Sequence, residues 1–388
     1  MDEDKLRELA LERKWDEALP LAKAMAEKEN DYGEMILGLM YCEGYGVTQN
    51  TEKALDLFTK SFAHGNCEAA YLLGDLYEKG DWMPPDLPKA IDLYEKAAAL
   101  GQEYALERLG ILYFRGIGVN QDYDRAFHYF LASAEKGNPD AQLELGFCYD
   151  TGTGTAIDYE KAKEWYLKAA EQGQDEAMAN LARLYMRGVG MGGEEHCDYG
   201  KALEWLENAA ALGNTGAMTE LGRMYFLGEG VEQDNDKAFQ YYLKAAELGD
   251  PDGQYYVGTC YELGEGTEMS DGKAVEWYKK AADQGHTGAQ AFLAKLYSGG
   301  YGVEQDHSKA LKLFRKVAEA GDSYAAKLLG DIYTEGKIVE KDDKLAMEWY
   351  RIAASSGNKD AEMELTYLQL QNGEERNSYP DFFRNKVQ

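Results

Sequence analysis

Residues 188–197 read GVGMGGEEHC, in which the first six letters satisfy G-x-G-x-x-G and the next four offer two acids, a histidine and a cysteine. Glycines so spaced let backbone N–H groups close on a phosphate, and histidine with cysteine can ligate a metal. Each chemistry needs a frame. A dinucleotide cradle requires a strand before the glycines and a helix directly after them, whereas here a helical pattern precedes and a polar loop follows. His196 and Cys197 are adjacent and lack partner ligands of their own kind nearby. Among His64, His128, His196, His286 and His307, no two share the i, i+4 spacing of a helical metal site. The pattern S-x-x-K, a serine-nucleophile motif, occurs at Ser133, Ser270 and Ser356. None is accompanied by S-D-N or K-T-G, the partners that complete that chemistry. No cofactor, no metal site and no catalytic residue is expected from these signals.

The elements that carry these residues explain them better than the chemistry does. The segments AYLLGDLYEKG, ALERLGILYFRGIGV, AQLELGFCYDTGTGT and AMTELGRMYFLGEGV are copies of one template. Copies open at Gly33, Ala69, Ala105, Ala141, Ala177, Ala217, Gly253, Ala289 and Ala325, with a further opening at Ala361. The step is 36 residues throughout except for the fifth, which is 40. A leucine at the fifth position, Gly or Ala at the sixth and tyrosine at the ninth share one helical face. Nine tyrosines, from Tyr41 to Tyr333, are thereby assigned to packing. Glycine ends this first helix, as at Gly116 and Gly152, because a left-handed residue stops a helix without strain. A polar loop, a Lys-Ala pair, an aromatic pair and an Ala-Ala step then mark a second, antiparallel helix. Small residues at the sixth position are expected to let neighbouring helices approach closely. GVGMGG is the loop of the fifth copy with a four-residue insertion, Gly192–Glu195, so its fingerprint is accidental. Cys148 and Cys260 occupy the eighth position, filled by leucine elsewhere, and read as small core residues.

Composition limits the partners. The 388 residues carry 41 Lys plus Arg against 70 Asp plus Glu, a formal charge of −29, which repels nucleic acid and anionic membranes. With 45% hydrophobic residues, 12% aromatics and seven prolines, the chain has enough apolar material for an ordered core. The start, MDEDKLRELALERK, lacks the basic and apolar regions of a secretory signal, no stretch is apolar enough to span a bilayer, and five cysteines form no pairing framework. A cytoplasmic protein with free thiols is expected, binding neither nucleic acid nor membrane.

The template A-x-x-x-L-G-x-x-Y-x-x-G-x-G-V, followed by K-A, W-Y, A-A and G, resembles the Sel-one-like repeat family, a relative of tetratricopeptide repeats. The resemblance implies an all-α, right-handed superhelical solenoid of nine helix-loop-helix repeats over 33–360. A tetratricopeptide-like helical cap is expected over 1–32, a capping helix over 361–372 and a tail over 373–388. It further implies a non-enzymatic scaffold or adaptor for a protein or peptide partner, monomeric or weakly oligomeric. Two alternatives stand beside it: a regulatory or inhibitory protein that occludes one partner, and, remotely, a hydrolase related to penicillin-interacting repeat proteins.

By similarity to tetratricopeptide arrays, the partner-facing slots lie one residue before and two, six, nine and ten residues after each opening position. Of 12 arginines, Arg115, Arg183, Arg187 and Arg223 fall in these slots within four adjacent copies. Phe114, Phe147, Met186 and Phe226 fall beside them. Arginine can grip a carboxylate in a bidentate fork and aromatics supply apolar anchors, so a groove in repeats three to six is expected to bind a segment with carboxylate and apolar groups. The plainer alternative is that these arginines neutralise an acidic surface while the rings pack on neighbouring helices.

Overall fold

The structure, a computed structural model, describes residues 2–80, 84–189 and 197–371. Among these residues there are 21 helices and no strand. Each repeat supplies two helices of about one length, as in repeat four with Pro139–Thr151 and Tyr159–Glu171. The Gly192–Glu195 insertion and the tail from Asn372 onward lie outside the described residues, as does His196.

Capping explains the regular lengths. Asn30, Asn66, Asn138, Asn214 and Asp250 accept the N–H of the residue three further on at the starts of first helices. Asn50, Asp122, Asp158, Asp234 and Asp306 do the same for second helices. Each such cap stabilises its helix by about 1 kcal/mol. At the other end Gly152, φ +77°, takes the left-handed conformation and donates its N–H to the Cys148 carbonyl at 2.9 Å. Two residues on, a side chain on Gly154 would collide with the Tyr123 carbonyl of the preceding repeat's second helix, so this glycine is needed for close approach.

The small residue at the sixth position has a more specific partner than a neighbouring backbone. A Cβ added to Gly146 would lie 2.6 Å from the ring of Tyr166, and one on Gly258 would lie 2.7 Å from Tyr278. The glycine is a seat for an aromatic side chain of its own repeat's second helix. Tyr94, Tyr166, Tyr242, Tyr278 and Tyr350, all fully buried, fill this place with Phe58 and Phe130. The ninth-position tyrosines are also more than packing. Lys53, Lys89, Lys161, Lys201, Lys237, Lys273 and Lys309, the lysines of the Lys-Ala pairs, lie 4.1–5.3 Å from the ring centroids of Tyr41, Tyr77, Tyr149, Tyr185, Tyr225, Tyr261 and Tyr297. Repeat nine has Leu345 at the lysine position, and there Arg315 covers Tyr333 instead, at 5.9 Å.

The chain forms two compact units, Met1–Trp205 and Leu206–Gln388. Within the first, each helix packs on the next from Asp2–Leu11 through Trp15–Ala26 to Asp175–Arg187; within the second, the same succession runs from Thr215–Leu227 to Lys359–Gln371. This successive stacking of helix pairs is a solenoid, in which a core runs through each unit because no pair buries its apolar face alone. Buried glutamines fasten repeat to repeat: Gln142 donates to the Ala134 carbonyl of the repeat before and accepts from Gln172, and Gln254 and Gln284 repeat the arrangement in the second unit. No helix among the described residues is long and apolar enough to cross a membrane.

Candidate functional site

In the first unit the slots of repeats three to five lie on the first helices Glu103–Arg115, Pro139–Thr151 and Asp175–Arg187. Phe114 meets Phe147 edge-on at 6.1 Å and Tyr123 at 5.3 Å, with Phe130 at 6.3 Å. The contact leaves Phe114 half-buried while Phe147 stays 37% exposed. Arg115 is exposed, and no ion pair holds it among the described residues. Arg183, also exposed, donates only to Asn180 on its own helix. Arg187 reaches back a repeat to Asp150 at 3.2 Å and lies over the ring of Tyr159, 5.3 Å from its centroid. Met186 is half-buried beside it.

Acids share this face. Burial, then the charge of Asp140, pushes the Glu107 carboxyl up to about 7. Glu144 is also raised, by burial first and Glu176 second, with Arg115 acting against them. The first-unit face therefore offers two exposed guanidinium groups in no ion pair among the described residues, Arg183 being hydrogen-bonded to Asn180, and an exposed ring set among carboxyls of high proton affinity.

In the second unit Arg223 is held between Glu220 at 2.9 Å and Glu229 at 2.7 Å, so its charge is already satisfied. With Phe226, Leu227, Tyr256 and Leu263 it lines a pocket of about 230 Å³. A larger pocket, about 620 Å³, lies between the first helices of repeats eight and nine, Thr287–Gly299 and Ser323–Glu335. Gly288, Ala291, Ser298 and Gly299 line it together with Phe292, Tyr301, Tyr324 and Leu328. The sequence reading missed it. The signal was present: Gly288, Ala291, Ser298 and Gly299 fill four of the five partner-facing slots of repeat eight with small residues, Ser298 standing where other repeats place Phe114 or Phe226, while Lys295 holds the slot of Phe147.

A family model described as the Sel1 repeat matches residues 32–66, 67–102, 103–138, 139–174, 175–214, 215–250, 251–286, 287–322 and 323–358. The chain belongs to the Sel1 repeat family. Its fold is similar to that of a protective antigen of uropathogenic Escherichia coli with an SLR fold, at TM-score 0.73 and 32% identity over 92% of this chain and 77% of the other. It is also similar to a Sel1 repeat protein of Oxalobacter formigenes, at TM-score 0.63 and 31% identity over 81% of this chain and 90% of that one. No curated protein matches the sequence significantly. Sel1 repeat proteins are generally protein-interaction scaffolds and generally non-enzymatic.

The residues that could carry chemistry have structural roles in this Sel1 array. The buried Ser133 hydroxyl donates to the Glu103 carbonyl at 2.8 Å, and Ser270 caps the helix Asp271–Asp283. His286 accepts the Ala289 N–H at 3.0 Å and stacks on Tyr255 at 4.6 Å; His64 pairs with Glu34 at 2.7 Å. Cys148 and Cys260 are buried, which pushes both thiols up to about 12 and leaves them unreactive at neutral pH. Among the described residues no group of three or more His, Cys, Asp or Glu is placed to hold a metal ion.

Proposed function

We propose that this chain is a non-enzymatic scaffold or adaptor that binds extended protein segments on the faces formed by its first helices, in the cytosol. The observation that carries the reading is that slots of repeats four, six and eight present apolar features open to solvent: an exposed ring at Phe147 in the first unit, and pockets beside Phe226 and Gly288 in the second. Within each unit, an exposed apolar feature rimmed by polar residues marks an interaction surface. In the first unit the proposed contacts are Phe114, Arg115, Phe147, Arg183, Met186 and Arg187; in the second, Arg223 and Phe226. The charges are not equivalent. A partner carboxylate must displace Asp150 to reach Arg187 and two glutamates to reach Arg223, whereas Arg115 and Arg183 form no ion pair among the described residues, with Glu144 near the first and Asn180 bonded to the second.

The test is affinity purification with mass spectrometry, followed by titration of the recovered partner. Arg115→Glu combined with Arg183→Glu is expected to weaken binding by about tenfold or more, as for hot-spot charges. Arg223→Glu should weaken it less. Full affinity in the double variant overturns the first-unit contact set, and catalytic turnover by the purified chain in a broad hydrolase screen overturns the scaffold reading.

A further inference from the structure

We infer that the pocket between repeats eight and nine receives an arginine side chain from a partner protein segment. The inference rests on the scaffold reading and deepens it, naming the partner chemistry for one place in the second unit and leaving the first-unit contacts aside.

The pocket has the walls for such a side chain. About 620 Å³ lies open between the first helices of the two repeats, and Phe292, Phe314, Leu328 and Ile332 give it apolar lining. An arginine can lay its apolar stem on such a surface while its guanidinium stacks on a ring. Rings are available for that. Tyr301 and Tyr324 are 55% and 64% exposed, and the Tyr301 ring lies against Gly299, where any side chain would collide with it. Elsewhere in this unit tyrosine rings are covered by the chain's own cations: Lys273, Lys309 and Arg315 lie over Tyr261, Tyr297 and Tyr333. Lys295 lies over Phe292, 5.6 Å from its centroid. Among the described residues no cation lies over Tyr301 or Tyr324. Two aromatic faces of the kind that the array pairs with a cation are thus left to solvent.

Charge decides between a basic and an acidic guest. The bases in the partner-facing slots of the second unit are Arg223, Lys295 and Lys327, and each is already paired: Arg223 with Glu220 and Glu229, Lys295 with Glu262 at 3.3 Å, Lys327 with Asp331 at 2.7 Å. The acids beside the pocket are less committed. Asp322 lines it and uses one carboxylate oxygen to cap its helix. The Gly288 end is bordered by His286 and Tyr255, which would lie 3.1 Å and 3.4 Å from a Cβ there, and His286 holds Asp252 at 3.1 Å. Because His286 Nδ1 accepts the Ala289 N–H, its proton sits on Nε2 and the ring that donates to Asp252 is neutral. Asp252 is therefore hydrogen-bonded without losing its charge. The formal charge of −29 adds to the attraction for a base.

Three synthetic nonapeptides, GSGRLRGSG, GSGKLKGSG and GSGELEGSG, titrated against the full chain by fluorescence anisotropy, test it. The arginine peptide is expected to bind about tenfold more tightly than the glutamate peptide and about threefold more tightly than the lysine peptide, since an ammonium is more strongly hydrated and stacks less well. Tyr324→Ser, which removes a rim ring, and Ala291→Phe, which fills the pocket, should each weaken the arginine peptide about tenfold; unchanged helicity and melting temperature show that each variant is folded. Lys295→Met removes the base from the lining and should tighten it about twofold. Equal binding of the arginine and lysine peptides, unmoved by both pocket variants, overturns the inference in favour of attraction by net charge. Tighter binding of the glutamate peptide, lost in Lys295→Met, overturns it by making the guest an anion. No binding of the arginine peptide overturns it as well, and the scaffold reading then stands or falls separately on the titration of Arg115→Glu with Arg183→Glu.

Discussion

The outward slots of repeats three and four and those of repeat eight occupy equivalent template positions and reach opposite results. In the former, Phe114 and Phe147 fill the space and touch edge-on at 6.1 Å; in the latter, Ser298 stands at the Phe114 position and Lys295 at the Phe147 position, and with Gly288, Ala291 and Gly299 they line about 620 Å³ of open space. The helices beneath differ little. Both sets stand on 13-residue first helices ended by a left-handed glycine, Gly116 and Gly152 in one case and Gly300 in the other. A solenoid of this kind separates its frame from its surface: one group of positions holds the repeats together, and a second group, free to vary, makes a knob in one place and a hole in another.

The comparison is broken most severely at the frame. Gly146→Leu drives a side chain into the Tyr166 ring and is expected to destabilise the first unit by roughly 1–3 kcal/mol. Thermal unfolding measures this, and Gly146→Ala, whose Cβ alone would lie 2.6 Å from the ring, is expected to show a smaller loss of the same sign. A Gly146→Leu chain that melts with the unaltered protein means that ring and glycine do not set the helix spacing.

On the surface group, Phe147→Ala should reduce partner affinity about tenfold, close to 1.4 kcal/mol, and barely move the melting temperature. Equal losses in both would make Phe147 part of the frame and erase the distinction drawn from its exposure.

The acids of the first-unit face give a smaller effect that depends on pH. Glu107 is pushed up to about 7, from an ordinary 4.5, by burial and then by Asp140, with Arg108 opposing. An acid that titrates higher in the folded chain keeps its proton there after the unfolded chain has lost it. Stability therefore falls as pH rises from about 4.5 to about 7 and is flat above. Glu107→Gln removes that fall: the variant is expected to be the more stable at pH 8, with the advantage gone at pH 4. Denaturant melts at the two pH values decide it, and an advantage of equal size at both would point to packing instead of charge.

The smallest change is Lys273→Met, which removes the ammonium 4.9 Å from the Tyr261 ring and is expected to reduce stability by about 0.5–1 kcal/mol. Lys344→Met in repeat nine, where the lysine register is occupied by Leu345, should have no comparable effect.

The frame was legible in the sequence because it is built from local rules. Period, helix pairing and the glycine stops follow from spacings within one repeat. The reason for Gly146 was not legible, because its partner ring lies on the next helix and periodicity alone does not say which of two faces a small residue serves. Among the candidate contacts, residue type and phase located Phe114 and Phe147, but the satisfaction of Arg223 by Glu220 and Glu229 weakens the inference from arginine count. The i−3 position of Glu220 was visible in advance; Glu229, across the glycine turn, needed the fold. The pocket of repeat eight escaped notice for a different reason. A search for chemistry attends to what protrudes, and a cavity is written in residues that do not.

The seating of an aromatic ring on a glycine twenty residues upstream bears on how the chain acquires its structure. Gly74 with Tyr94, Gly146 with Tyr166 and Gly258 with Tyr278 each close a loop of that one length, so the decisive long-range contact of a repeat is never far along the chain. Loop closure grows costly only slowly with length, and chains dominated by near contacts fold quickly. Each repeat can thus lock as soon as its second helix is made, with the repeat before it as template. A chain of 388 residues assembled in this manner meets the search problem of a 36-residue one, several times over, during its own synthesis.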